Sequence, residues 1–99
     1  MTINKKLEGS TLTLSVEGRL DTTTAPQLEA EIRNHLDGVS SLVMNFKGLE
    51  YISSAGLRVL LASQKIMNKQ GTMVIRGANE SVMEVFEVTG FSDILTIEA

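Results

Sequence analysis

Two adjacent serines occupy the middle of Leu49-Glu50-Tyr51-Ile52-Ser53-Ser54-Ala55-Gly56-Leu57-Arg58, where an irregular stretch passes into helical periodicity. Hydroxyls at such a point have two uses. A serine at a helix start accepts a hydrogen bond from an orphan N–H group, so Ser53 or Ser54 is a candidate N-cap. The same place also suits a phosphate, which would face free N–H groups and the positive end of the helix dipole. A phosphate on Ser54 would add roughly -1.5 to -2 charges at one spot without melting the helix. Capping does not exclude such a switch.

Other reactive groups are sparse. His35 is the sole histidine and falls near the end of a helical pattern. A solvated or half-packed surface histidine is the expectation there, with a pH switch as the alternative. The absence of cysteine excludes disulfides, zinc ribbons and thiol chemistry. Glu29, Glu31, Glu84 and Glu87 lack the spacing of an E-x-x-H or EF-hand site, so they read as solvated helix faces. Neither G-x-G-x-x-G after a strand nor a P-loop motif is present. Met44, Met67, Met73 and Met83 fall on core positions. The chain is therefore expected to hold no metal or cofactor and to catalyse nothing.

The elements that must position these serines follow from periodicity. Ile3, Lys5 and Leu7, then Thr11 to Val16, alternate as two arms of a hairpin around Gly9. Thr24-Ala25-Pro26-Gln27 fits a capping box, and Ala25, Leu28, Ile32 and Leu36 continue it as an amphipathic helix. Leu42-Val43-Met44-Asn45-Phe46 predicts a strand buried on both faces, and Thr72 to Ile75 another of buried type. Between them the Ser53-Ser54 helix carries Leu57, Leu60, Leu61 and Met67 on one side, with Gly71 as a C-prime stop. Asn79 caps a last helix ended by Gly90, and Ile94 to Ile97 reads as a closing strand. The order β-β-α-β-α-β-α-β implies an α/β fold: a mixed, mostly parallel sheet with an N-terminal hairpin edge and covering helices.

Composition bounds the partners. Ninety-nine residues, 42% hydrophobic and without a linker-like tract, predict one domain spanning 1–99. A net charge of -3, a pI near 5.0 and 4% aromatics argue against direct nucleic-acid binding. No apolar run approaches a membrane span, and the first residues lack a signal-peptide core, so a cytoplasmic protein without membrane insertion is expected. Arg58, Lys65 and Lys69 share one side of the second helix, either as a solvated flank or as a ridge for an acidic partner. Asp21, Thr22 and Thr23 belong near the same helix start, since loops at the carboxyl ends of parallel strands gather there. Asp21 has a turn-forming reading as well.

The run from Tyr51 to Leu57, behind the strand at 42–46, resembles the signature of STAS domains of the bacterial anti-sigma factor antagonists. Gly18-Arg19-Leu20-Asp21-Thr22-Thr23-Thr24-Ala25 matches the family's segment before its first helix, and Lys69-Gln70-Gly71 and Phe86 before Thr89-Gly90-Phe91 recur in order. The resemblance implies that Ser54 is phosphorylated by an anti-sigma factor that is itself a serine kinase, and dephosphorylated by a PP2C-type phosphatase. It implies that the unphosphorylated form binds the anti-sigma factor and frees the sigma factor. A partner surface of Asp21, Thr22, Thr23, Ser53, Ser54, Gly56, Leu57 and Arg58 follows by position, on a monomer or weak dimer. Two residues depart from the pattern: Ser53 replaces the family aspartate, and Arg19 stands where an acid is common. They leave open altered kinase recognition, Ser53 as acceptor, or a non-cycling scaffold subunit of a transporter or sensory complex. A nucleotide or small-molecule binding module is the reading from another class.

Overall fold

The computed structural model describes residues 1–98. Strands β1 (Thr2–Glu8) and β2 (Thr11–Leu20) form the expected antiparallel hairpin. Helix α1 (Ala25–His35), strand β3 (Ser41–Asn45), strand β4 (Leu49–Ile52) and helix α2 (Ser54–Gln70) follow. Strand β5 (Thr72–Arg76), helix α3 (Glu80–Thr89), one 3-10 turn (Phe91–Asp93) and strand β6 (Ile97–Glu98) complete the order. The sheet runs β1-β2-β3-β5-β6 and is parallel except at the β1-β2 edge. The mixed α/β architecture is the one the periodicity predicts, and among the described residues no helix is long and apolar enough to cross a membrane.

Strand β4 is the element that periodicity misses. It pairs in parallel with Gly18 to Leu20 of β2, in the place β3 vacates after Asn45. Strand β2 exchanges β3 for β4 between Ser15 and Gly18, a register shift follows at Gly18/Arg19 within the β2-β4 pair, and the Gly18 N–H donates to the Gly48 carbonyl at 2.9 Å. Gly18 holds φ +98 at this irregularity, a region that costs a side chain but not glycine.

The expectation of strands buried on both faces is corrected. In β3, Leu42 and Met44 are buried while Ser41, Val43 and Asn45 are half-exposed, and β5 buries only Met73 and Ile75. One sheet face packs on the helices, and the other, with Val43 and Val74 side by side among Thr13, Ser15, Ser41 and Asn45, is only partly covered. Leu14, Val16, Leu42, Met44, Leu60, Met67 and Phe86 belong to one core cluster with the buried residues of all three helices. Met83 lies partly buried at its margin.

Three predicted boundaries also change. The capping box at Thr24 does not form: Thr24 is helical and its hydroxyl donates to the Arg19 carbonyl at 2.8 Å. Gly71 ends α2 with extended backbone, φ 169, and not as a left-handed C-prime residue. What it needs is space, because a Cβ there would lie 1.8 Å from the Ser40 carbonyl oxygen. The last strand begins at Ile97, not Ile94, because the turn at Phe91–Asp93 holds the Ile94 and Leu95 N–H groups on the Phe91 carbonyl. Gly90 does adopt the left-handed conformation that stops α3.

Candidate functional site

The start of α2 is built on the ends of β2 and β4. The Ser53 N–H donates to the Leu20 carbonyl at 2.9 Å, which ties the Ser53-Ser54 corner to the last residue of β2. Gly56 sits over that junction: a Cβ on it would come 2.7 Å from Leu20 and 2.9 Å from Ile52. Only a residue without a side chain lets the first turn of α2 rest on these two core residues. Leu57 on the same turn is buried and anchors it.

The two serines separate in role. Ser53, in extended conformation, is the N-cap and its hydroxyl oxygen accepts from the Gly56 N–H at 3.4 Å. Ser54 is the first helical residue, exposed, and its hydroxyl has no hydrogen-bond partner among the described residues. At the first two helical positions the N–H groups of Ser54 and Ala55 have no carbonyl one turn back to receive them. The hydroxyl of Ser54 thus lies in water beside free donors, with no acid in the first turn of the helix.

Asp21 organises the neighbouring loop. Its Oδ1 accepts from the Thr23 hydroxyl at 2.7 Å, the Thr23 N–H at 3.0 Å and the Thr24 N–H at 3.2 Å. The Thr23 hydroxyl above all, with the Thr23 and Thr24 N–H groups, holds the Asp21 carboxyl below the usual carboxylate range against the opposing effect of desolvation. The turn-forming reading of Asp21 is therefore seen directly. It covers the orphan donors before α1, the task the sequence assigns to Thr24.

These loops meet. Thr22, Ala25 and Pro26 from the start of α1 and Ala55 and Arg58 from α2 line a cleft of about 290 Å³. Thr22 is thereby brought against Ala55 and Arg58 of the first turn of α2, while Asp21 directly follows Leu20, whose carbonyl holds the Ser53 N–H. Thr22, Thr23, Ser54 and Arg58 are exposed, whereas Gly56 and Leu57 are buried supports. Arg58, one turn after Ser54, makes no ion pair among the described residues, and neither do Lys65 and Lys69 further along.

One contact escapes sequence reasoning. The Arg19 guanidinium stacks on the Tyr51 ring at 4.2 Å, with its Nε 4.0 Å from Asp21. The pair forms because β2 and β4 place Arg19 opposite Tyr51, and β4 was not visible in the pattern. His35 behaves as a half-packed surface residue: Nδ1 is 2.7 Å from the Glu31 carbonyl and Nε2 is 3.2 Å from Lys5 Nζ.

Comparison with known proteins places this geometry. The STAS domain profile matches residues 2–99. The BtrV protein of Bordetella bronchiseptica, provisionally assigned as an anti-sigma factor antagonist, is 38% identical over 93% of this chain and 80% of its own length. The anti-sigma-B factor antagonist of Bacillus subtilis is 26% identical over 98% of this chain and 90% of its own. Among solved structures, the anti-sigma factor antagonist SpoIIAA in its unphosphorylated form superposes with a TM-score of 0.85 at 19% identity, covering 99% of this chain and 89% of that one. Its phosphorylated form gives 0.76 at 18% identity, over 99% and 92%.

Proposed function

The chain belongs to the STAS domain family, and from that premise we propose that it acts as an anti-sigma factor antagonist whose switch is Ser54. The unphosphorylated protein binds an anti-sigma factor through the surface around Thr22, Thr23, Ser54 and Arg58, and so frees a sigma factor. Phosphorylation of Ser54 by the anti-sigma factor acting as a serine kinase releases it, and a PP2C-type phosphatase restores it. This cycle belongs in the cytoplasm, where sigma factors act, and requires no chemistry from the chain itself.

The observation that carries this reading is the division of labour at the helix start: Ser53 holds the cap and Ser54 keeps a free, exposed hydroxyl. It also bears on the departure at Ser53. Serine and aspartate are comparable N-caps, so the exchange preserves the corner and alters only its charge. Phosphorylation changes the charge from -3 to roughly -5. A dianion in a tight interface costs desolvation and repulsion, and a few kcal/mol is about a hundredfold or more in affinity.

The test is incubation with the cognate kinase and ATP, with the modified residue mapped by mass spectrometry. Phosphate on Ser54, and loss of anti-sigma binding in Ser54→Asp, are expected. Modification of Ser53 alone, or no modification, overturns the switch; full binding by Ser54→Asp overturns the release mechanism.

A further inference from the structure

A groove of about 460 Å³ opens between β4 and α3. Ile52 and Val82 form its buried floor, and Tyr51, Val85 and Val88 its walls. Val88 is 80% exposed and Tyr51 40%, so two of the chain's few large apolar side chains left in water lie in this one place. The rim is acidic. Glu50 and Glu84 border the groove, and α3 carries Glu80, Glu84 and Glu87 with no lysine or arginine. None of these four carboxylates makes an ion pair among the described residues; the paired acids are all elsewhere. Arg19 leans on the Tyr51 ring and braces that wall.

We propose that this groove docks a short partner segment that presents apolar side chains flanked by lysine or arginine. The apolar floor and walls supply the area removed from water on docking. The carboxylates select the sign of the flanking charge and raise the association rate. A second copy of this chain is a poor occupant, because a two-fold contact would set one acidic rim against the same rim. The α3 wall from Ser81 to Thr89 spans about 12 Å, some two helical turns, which matches apolar anchors three or four residues apart on a helix.

The site adjoins the serine corner, since Tyr51 and Ile52 lead directly into Ser53, but its chemistry is independent of the switch. A cationic segment is not repelled by a phosphate on Ser54, so docking here persists when the antagonist surface lets go.

The full chain, labelled with nitrogen-15, would be titrated with a Leu/Lys amphipathic peptide of about 14 residues, near the shortest length at which isolated helices form, and with its Leu/Glu counterpart. The Leu/Lys peptide is expected to shift amides within 50–52 and 81–89 while the Leu/Glu peptide leaves them in place. Glu84→Lys and Val88→Ser should each weaken binding at least about tenfold, with unchanged spectra elsewhere confirming the fold. Asp37→Lys, an equal change of net charge in the exposed turn just past α1, should bind like the parent, and so should Ser54→Asp. Shifts spread over other surfaces, an equal response to both peptides, or an equal loss in Asp37→Lys would overturn the proposal. Concentration-dependent shifts at the same amides without peptide would assign the groove to a second copy and overturn it as well.

Discussion

Replacing Ser53 with alanine removes the acceptor of the Gly56 N–H and leaves α2 without its side-chain cap. The expected loss is about 1 kcal/mol, which lowers Tm by roughly 4–8 °C in a domain of this size. Ser53→Asp keeps an acceptor and adds a charge that suits the helix start, so its Tm should equal or exceed the parent's. Ser54→Ala should stay within about 0.5 kcal/mol of the parent, since its hydroxyl has no hydrogen-bond partner among the described residues. Thermal melts followed by circular dichroism decide this, and a Tm drop confined to Ser54→Ala would reverse the two roles. Asp21 gives a pH signature of definite sign. Its carboxyl is held below the usual range by the Thr23 hydroxyl and the turn N–H groups. The folded state therefore gains stability from it above the ordinary aspartate value of about 4, and loses that gain as the pH falls through the lowered native value. Asp21→Asn should be less stable than the parent at pH 7 and should lose less of its stability between about pH 5 and pH 2. Urea midpoints measured across that range test it, and parallel acid limbs would remove the turn from the explanation.

The elements that carry periodicity were legible and those that depend on distant pairing were not. Ala25, Leu28 and Ile32, or Asn79 ahead of Val82, announce their helices locally, because their side chains repeat on one face or bond within one turn. Leu49–Ile52 has four residues with the outer two buried and the inner two exposed, so no alternation marks it. It becomes a strand because β2, past Ser15, pairs with it in place of β3. The Ser53-Ser54 corner was legible as a helix start, but which hydroxyl caps was set by the Leu20 carbonyl that fixes the Ser53 backbone. Gly71 shows the same limit: read locally it is a helix stop, while its actual constraint is the Ser40 carbonyl from a segment some thirty residues earlier. Gly71→Ala forces backbone to move, as no flexible side chain can give way, and is expected to abolish folding or to cost more than the roughly 1–3 kcal/mol of ordinary overpacking. Gly56→Ala meets the Leu20 and Ile52 side chains instead and falls within that range. Denaturant midpoints of the two variants should rank in that order; equal midpoints would mean that the Ser40 contact relaxes without cost.

At the scale of the whole molecule, two helices carry charges of opposite sign that make no ion pair among the described residues. Helix α2 carries Arg58, Lys65 and Lys69 and no acid, all three exposed, while α3 carries three glutamates and no base. A chain with net charge -3 thus presents a positive ridge beginning one turn after Ser54, beside a negative groove. From Arg58 to Lys69 the ridge runs about 16 Å, roughly two Debye lengths at physiological salt, so its ends act as separate charges at contact and together only during approach. An acidic anti-sigma surface would be steered by the whole ridge yet held mainly at its Ser54 end. Lys65→Glu and Lys69→Glu should therefore slow association severalfold while leaving dissociation nearly unchanged, with the difference fading as salt is raised toward about 0.5 M. Arg58→Glu and Ser54→Asp, placed at the corner itself, should speed dissociation. Association and dissociation rates measured by surface plasmon resonance at several salt concentrations separate the two behaviours. A Lys69→Glu effect that sits in the dissociation rate and survives high salt would extend the contact surface to the far end of α2, and would remove steering as the function of the ridge.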